Sequence, residues 1–180
     1  SSEWARLPSF SSDGEYIAYV GYRQRDDWQE DSGGSPMTGD LWIASSDGEN
    51  PFKLADVDSR LRGPVWSPDR KYIAAHHEPS GTNDSKEIWV YPLTPDASGA
   101  GEPEKIVLPN SSWNILAGWT PEGELGAFIQ TEERQAIYTV SISEGKAMQV
   151  TPQGGWPYYP RWSPDGTRIY YRMVEKMADK

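Results

Sequence analysis

Apolar and polar residues alternate along most of this chain in short runs, and each run is bounded by turn residues. Tyr16-Ile17-Ala18-Tyr19-Val20, Tyr72-Ile73-Ala74-Ala75, Leu125-Gly126-Ala127-Phe128-Ile129 and Arg168-Ile169-Tyr170-Tyr171 have the length and β-branched or aromatic content of strands. Each is preceded by one recurring phrase. It reads Pro8-Ser9-Phe10-Ser11-Ser12-Asp13-Gly14, then Pro64-Val65-Trp66-Ser67-Pro68-Asp69-Arg70, then Ala117-Gly118-Trp119-Thr120-Pro121-Glu122-Gly123, then Pro160-Arg161-Trp162-Ser163-Pro164-Asp165-Gly166. The phrase has turn chemistry: proline presets one turn dihedral, Asp caps nearby amides, and Gly takes positive φ. Arg70 in the Gly position predicts either a strained turn or a different type. Glu122 in the Asp position predicts loss of the short side-chain cap.

After each such strand comes a third, Asp40 to Ala44, Glu87 to Tyr91 and Ala136 to Val140. A shorter fourth follows, Phe52 to Leu54, Lys105 to Leu108 and Ala147 to Thr151. Four strands per repeat, with the aromatics Phe10, Trp66, Trp119 and Trp162 spaced 56, 53 and 43 residues apart, predict the blades of an all-β propeller. The reading is a single propeller region over 1–180, with about three and a half blades at roughly 8–62, 63–115, 116–158 and 159–180, the last incomplete. The excess length of the first repeat is one insertion, Tyr22 to Gly39, read as a long surface loop.

The repeat Trp-Ser-Pro-Asp-Gly followed by an Ile-Tyr or Ile-Ala strand, with Glu87-Ile88-Trp89-Val90 and Gln149-Val150-Thr151-Pro152 as later strands, resembles the WD-like propeller repeat of the TolB type. The resemblance covers roughly residues 8–171. It implies a fold shared by the TolB periplasmic protein, tricorn-like propellers, the propellers of prolyl-oligopeptidase-family peptidases and a few sugar-active lyases. Such propellers usually close with six or more blades. The expectation is therefore a piece of a longer propeller, or a chain that self-associates to complete one, with a free-standing small propeller as the third reading, since an open sheet edge and bare blade face are unfavourable.

Composition narrows the function classes. Twenty-seven acidic against 17 basic residues give a net charge of -10, which argues against nucleic acid as a partner, though not against a local basic patch. There are no cysteines, which removes thiol catalysis and thiolate metal sites. No run approaches the ~20 apolar residues of a membrane span, so no membrane insertion is expected.

Candidate chemistry is sparse. His76, His77 and Glu78 invite a metal reading, and a metal-dependent sugar lyase would need the histidines as ligands. Neighbouring strand residues point to opposite faces, which opposes it. Asp26, Asp27, Glu30 and Asp31, together with Asp56, Asp58, Asn83 and Asp84, are candidate calcium loops, but none matches an EF-hand; no other cofactor is expected. No Gly-x-Ser-x-Gly elbow occurs. Trp113, Trp156, Tyr158 and Tyr159 stand apart from the repeat phrase and are read as loop aromatics between blades, candidates for holding a protein or peptide, with blade packing as their competing role. The leading reading is a non-catalytic binding module of a bacterial periplasmic or otherwise extracytoplasmic protein. The alternative is the propeller of a prolyl-oligopeptidase-family serine peptidase whose catalytic domain lies elsewhere.

Overall fold

The computed structural model describes residues 4–24, 26, 37–57, 59–79, 87–106, 113–130, 135–151, 156–163, 165 and 167–174. These residues form fourteen strands and no helix. The strands pair in chain order as three four-stranded antiparallel sheets and one two-stranded sheet. The first sheet holds β1 (Trp4–Phe10), β2 (Tyr16–Gln24), β3 (Met37–Ser45) and β4 (Phe52–Ala55). The second holds β5 (Ser59–Trp66), β6 (Tyr72–Pro79), β7 (Glu87–Pro92) and β8 (Glu104–Ile106). The third holds β9 (Trp113–Trp119), β10 (Leu125–Gln130), β11 (Gln135–Ser141) and β12 (Lys146–Gln149). The last pairs β13 (Trp156–Trp162) with β14 (Ile169–Val174). Four sequential antiparallel strands per repeat are the blade of a β-propeller. Each blade starts at its own first strand, at Trp4, Ser59, Trp113 and Trp156, a few residues upstream of the boundaries expected at 8, 63, 116 and 159. The chain forms two compact units, Ser1–Lys105 and Ile106–Lys180.

The repeated phrase closes the hairpin between the first two strands of a blade, and its hydroxyl organises the turn. Ser11 Oγ donates to Asp13 Oδ1 at 2.6 Å and accepts the Tyr16 amide at 3.0 Å, while Asp13 accepts the Glu15 amide at 3.1 Å. Ser67, Asp69, Tyr72 and Lys71 repeat the set at 2.7, 3.0 and 3.1 Å. Ser163, Asp165, Arg168 and Thr167 do so at 2.6, 3.0 and 3.1 Å. Arg70 adopts the same left-handed conformation as the glycines it replaces, with φ 60 against 74 at Gly14 and 85 at Gly123. The turn type is unchanged, and the Arg70 guanidinium pairs with Asp13 of the preceding blade. In the third copy Thr120 Oγ1 still accepts the Glu124 amide, at 3.2 Å, but Glu122 adds no cap among these contacts.

In the first unit the core lies between the first two blades. Val20, Leu41, Ile43, Leu61 and Ile73 are fully buried, each contributing roughly 1.5–3 kcal/mol of transfer free energy. The second blade is tied to the first by the Tyr22 hydroxyl donating to Leu61 O at 2.5 Å, by Trp66 Nε1 donating to Ser9 O at 3.0 Å, and by Trp66 stacking on Tyr16 at 6.1 Å. The repeat aromatic is thus a blade-packing residue here. The expected Tyr22 to Gly39 loop is shorter than the sequence implied. Tyr22 to Gln24 pair with Met37 to Gly39 as a continuation of the β2–β3 ladder. Gly39 is required there, because a Cβ would lie 2.5 Å from Val20 Cγ1. Burial drives the Asp40 carboxyl up, but hydrogen bonds from Lys53 and the Val57 amide, with the charges of Lys53 and Arg23, outweigh it and hold the group below its ordinary value.

In the second unit Leu125, Ala127, Phe128, Ile129, Ala136, Ile137 and Val140 are buried. The side chain of Trp162, on β13, lies so close over Gly126 that a Cβ would meet its Nε1 at 2.8 Å. Thr151 Oγ1 accepts the Ile137 amide at 3.0 Å and closes the outer side of that sheet.

Candidate functional site

The four aromatics expected in loops sit on strands. Trp113 opens β9, and Trp156, Tyr158 and Tyr159 belong to β13. The reading as loops followed Gly154, Gly155 and Pro157, which are turn-forming residues; the ladder from Trp156 to Val174 nonetheless pairs through Pro157. Nor do these residues stand apart from the repeat. Trp113 and Trp156 each lie six residues before their repeat aromatic, and Trp4 holds the same place in the first blade.

Each first strand is broken at one point, and proline explains three of the four breaks. Leu7-Pro8, Gly63-Pro64 and Tyr159-Pro160 are skipped by the registers of β1, β5 and β13. Proline has no N–H to give to the ladder, so the strand bulges. The residue before it turns left-handed: Leu7 at φ 57, Gly63 at φ 54 and Tyr159 at φ 55. The third blade breaks at Ala117, with the next residue, Gly118, at φ 105. Glycine accepts this conformation freely, whereas at Leu and Tyr it costs roughly 1–2 kcal/mol. Both also present large apolar side chains to solvent, Leu7 at 43% and Tyr159 at 75% exposure. The strained residue belongs to the bulge that each first strand carries, and at Leu7 and Tyr159 it places an exposed side chain there.

The β13 aromatics separate into two roles. Tyr158 is half-buried and stacks on Phe128 of the preceding blade at 6.0 Å, with the Tyr159 ring 6.2 Å from it at a tilt. Trp156 is 40% exposed and Tyr159 is open. Tyr158 therefore anchors Tyr159, while Trp156 and Tyr159 are each exposed. The prolines at the bulges were visible in the repeat phrase itself; the positive φ one residue upstream carries no composition signal at Leu7 or Tyr159.

His76 and His77 are buried neighbours on β6, paired with Ile88 and Glu87 of β7. His77 Nε2 lies 2.6 Å from the Tyr91 hydroxyl, and its ring stacks on Trp89 and Tyr91 at 5.1 and 6.1 Å. Burial lowers its pKa to about 4 against an opposing pull from Glu87, and burial raises the Tyr91 phenol. The imidazole is neutral at neutral pH and already engaged. Among the described residues no three His, Asp or Glu side chains gather as a metal site. Asp26 is exposed, and Asp56 pairs with Arg23 and Lys53 at 3.3 and 3.4 Å. Asp27, Glu30, Asp31, Asp58, Asn83 and Asp84 lie outside the described residues. No helix among the described residues is long and apolar enough to cross a membrane.

Blades of four antiparallel strands, closed by one recurring turn, define a β-propeller protein. No protein-family profile matches the chain. Among curated proteins it is 26% identical over 149 residues to the Tricorn protease homolog of Saccharolobus solfataricus, a match that takes in 78% of this chain and 12% of that protein. Among solved structures, TolB from Acinetobacter baumannii superposes with a TM-score of 0.58 at 16% identity, over 96% of this chain and 49% of TolB. A puromycin-hydrolyzing peptidase of Mycobacterium tuberculosis superposes with a TM-score of 0.70 at 15% identity, over 94% of this chain and 28% of the peptidase. The fold is that of a TolB-like propeller, and the chain spans about half the length of TolB and a smaller share of the two peptidases.

Proposed function

We propose that this chain is a non-catalytic TolB-like propeller module that binds a protein or peptide, as part of a larger bacterial extracytoplasmic protein. The observation that carries the reading is the strained, open Tyr159 and the exposed Trp156, both on the first strand of the same blade. Aromatic side chains give large contact area at low conformational cost, which is why they dominate binding hot spots. Extracytoplasmic placement rests on the TolB resemblance. Non-catalytic character is supported by His77 being buried, neutral and held against the Tyr91 hydroxyl.

The test is selection of peptides on the chain by phage display, followed by affinity measurement against variants. Trp156→Ala and Tyr159→Ala should each weaken the selected peptides about tenfold or more while leaving the melting temperature nearly unchanged. Tyr158→Ala removes the stack on Phe128 and should lower stability as well.

The second reading is a propeller that serves a serine peptidase whose catalytic domain lies outside these residues. The matches to a Tricorn protease homolog and a puromycin-hydrolyzing peptidase favour it. Its check is the coding sequence on either side. A Gly-x-Ser-x-Gly elbow in the same open reading frame decides for it, and a complete frame without one decides against it.

A further inference from the structure

A concavity lies in the first unit, where β1 and β5 begin. Its volume is about 230 Å³, and Trp4, Arg6, Leu7, Met37, Arg60 and Arg62 line it, with Tyr22 between them. Arg6 and Arg62 occupy the same place in successive blades, four residues before Phe10 and Trp66. Arg60 occupies the place that Trp4 and Trp156 hold in theirs.

Among the described residues the charges do not balance. Glu78 faces Arg60 directly across the β5–β6 ladder and is shared between two guanidinium groups, 3.7 Å from Arg60 Nη1 and 3.1 Å from Arg62 Nε. Neither the Arg60 nor the Arg62 Nε finds an aligned hydrogen-bond acceptor, although both atoms are buried. Arg6 has no ion pair among the described residues. Among the described residues, three guanidinium groups thus line or border the concavity with one carboxylate paired to two of them, in a chain whose net charge is -10. Like charges held together at a concave site repel, and a buried N–H without an aligned acceptor is unfavourable. An anion in the cavity would relieve both.

We propose that this concavity is a binding site for a carboxylate carried on an apolar group. Guanidinium forks match the planar, two-oxygen geometry of a carboxylate, and the Trp4, Leu7 and Met37 walls take the apolar part beside it. A free phosphate would leave those walls unused. The carboxylate comes from a peptide C-terminus or from an acidic side chain next to an apolar one; both present the same chemistry. The site shares no residue with the β13 aromatics and stands or falls independently of them.

Nuclear magnetic resonance titration of the intact chain, read at the arginine Nε–H signals, tests it with four probes. These are acetyl-Ala-Leu with a free carboxylate, its amide, acetyl-Glu-Leu amide and inorganic phosphate. The expected result is saturable binding of a carboxylate probe, weaker by about tenfold or more in Arg6→Gln, with the neutral amide and phosphate shifting nothing comparable. Arg6 is exposed and unpaired, so that variant keeps its fold; Arg60→Gln gives a second, independent loss. Preference for acetyl-Ala-Leu assigns the site to a chain terminus, and preference for acetyl-Glu-Leu amide assigns it to a side chain. Equal binding of acid and amide, equal binding of phosphate, retention of full affinity in both arginine variants, or no binding of either carboxylate probe overturns the proposal.

Discussion

At the scale of single residues, His77 carries the clearest solution signature. Its folded pKa is about 4 against an ordinary 6.5. Between those values the unfolded chain holds a proton that the folded one does not, so stability falls as pH drops through that window and levels off below about 4. The loss amounts to about 3 kcal/mol over the window. Denaturant unfolding of the native chain and of His77→Gln at a series of pH values should show this slope in the first and a flatter one in the second. Identical slopes would mean that His77 is not desolvated. The turn residues show how far single positions can be read from sequence. Asp and the hydroxyl were legible because their hydrogen bonds are local. The same turn recurs where the repeat phrase does not apply: Thr94-Pro95-Asp96-Ala97, between β7 and β8, has Thr94 donating to Asp96 at 2.8 Å and Ala97 at φ 54. The phrase encodes a turn wherever it falls, and only its spacing with the aromatic marks a blade.

At the scale of elements, blade-to-blade packing decides which small residues are obligatory. Gly126 does not need its glycine for backbone freedom. It needs it because the Trp162 ring and the Gly118 carbonyl would lie 2.8 and 3.3 Å from a Cβ at this position. Gly126→Ala should cost about 1–3 kcal/mol in unfolding free energy, as overpacking does, and Trp162→Leu should recover part of it. An unchanged midpoint in Gly126→Ala would mean that Trp162 does not seat on that strand. Strand order and hairpins were legible because alternation and turn residues are short-range signals. The first strands were not fully legible: Trp156-Pro157-Tyr158-Tyr159-Pro160 reads as loop, since two prolines and preceding glycines mimic one, and only cross-strand pairing with β14 reveals the ladder. The arginine-lined concavity was hidden for a related reason. Arg6, Arg60 and Arg62 are distant in sequence, and overall acidity masks a local cluster; their common offset from the repeat aromatic was the available signal.

At the scale of the whole molecule, the exposed apolar side chains set the expected behaviour. Phe10, Met148, Tyr159 and Tyr170 are each more than half exposed. Phe10 is the first-blade counterpart of Trp66 and Trp162, which both pack on a preceding blade. Light scattering behind size exclusion should therefore find a mass that rises with concentration, as blade faces find partners; a monodisperse monomer at all concentrations would contradict it. Binding through the strained first-strand aromatics of β13 is what the proposed role of the module depends on. The decisive comparison is the affinity of phage-selected peptides for the native chain and for Tyr159→Ala, made at equal thermal stability. A loss of about tenfold or more with the fold intact is expected. Unaltered affinity in a folded Tyr159→Ala chain that also tolerates Trp156→Ala would refute that role for the strand.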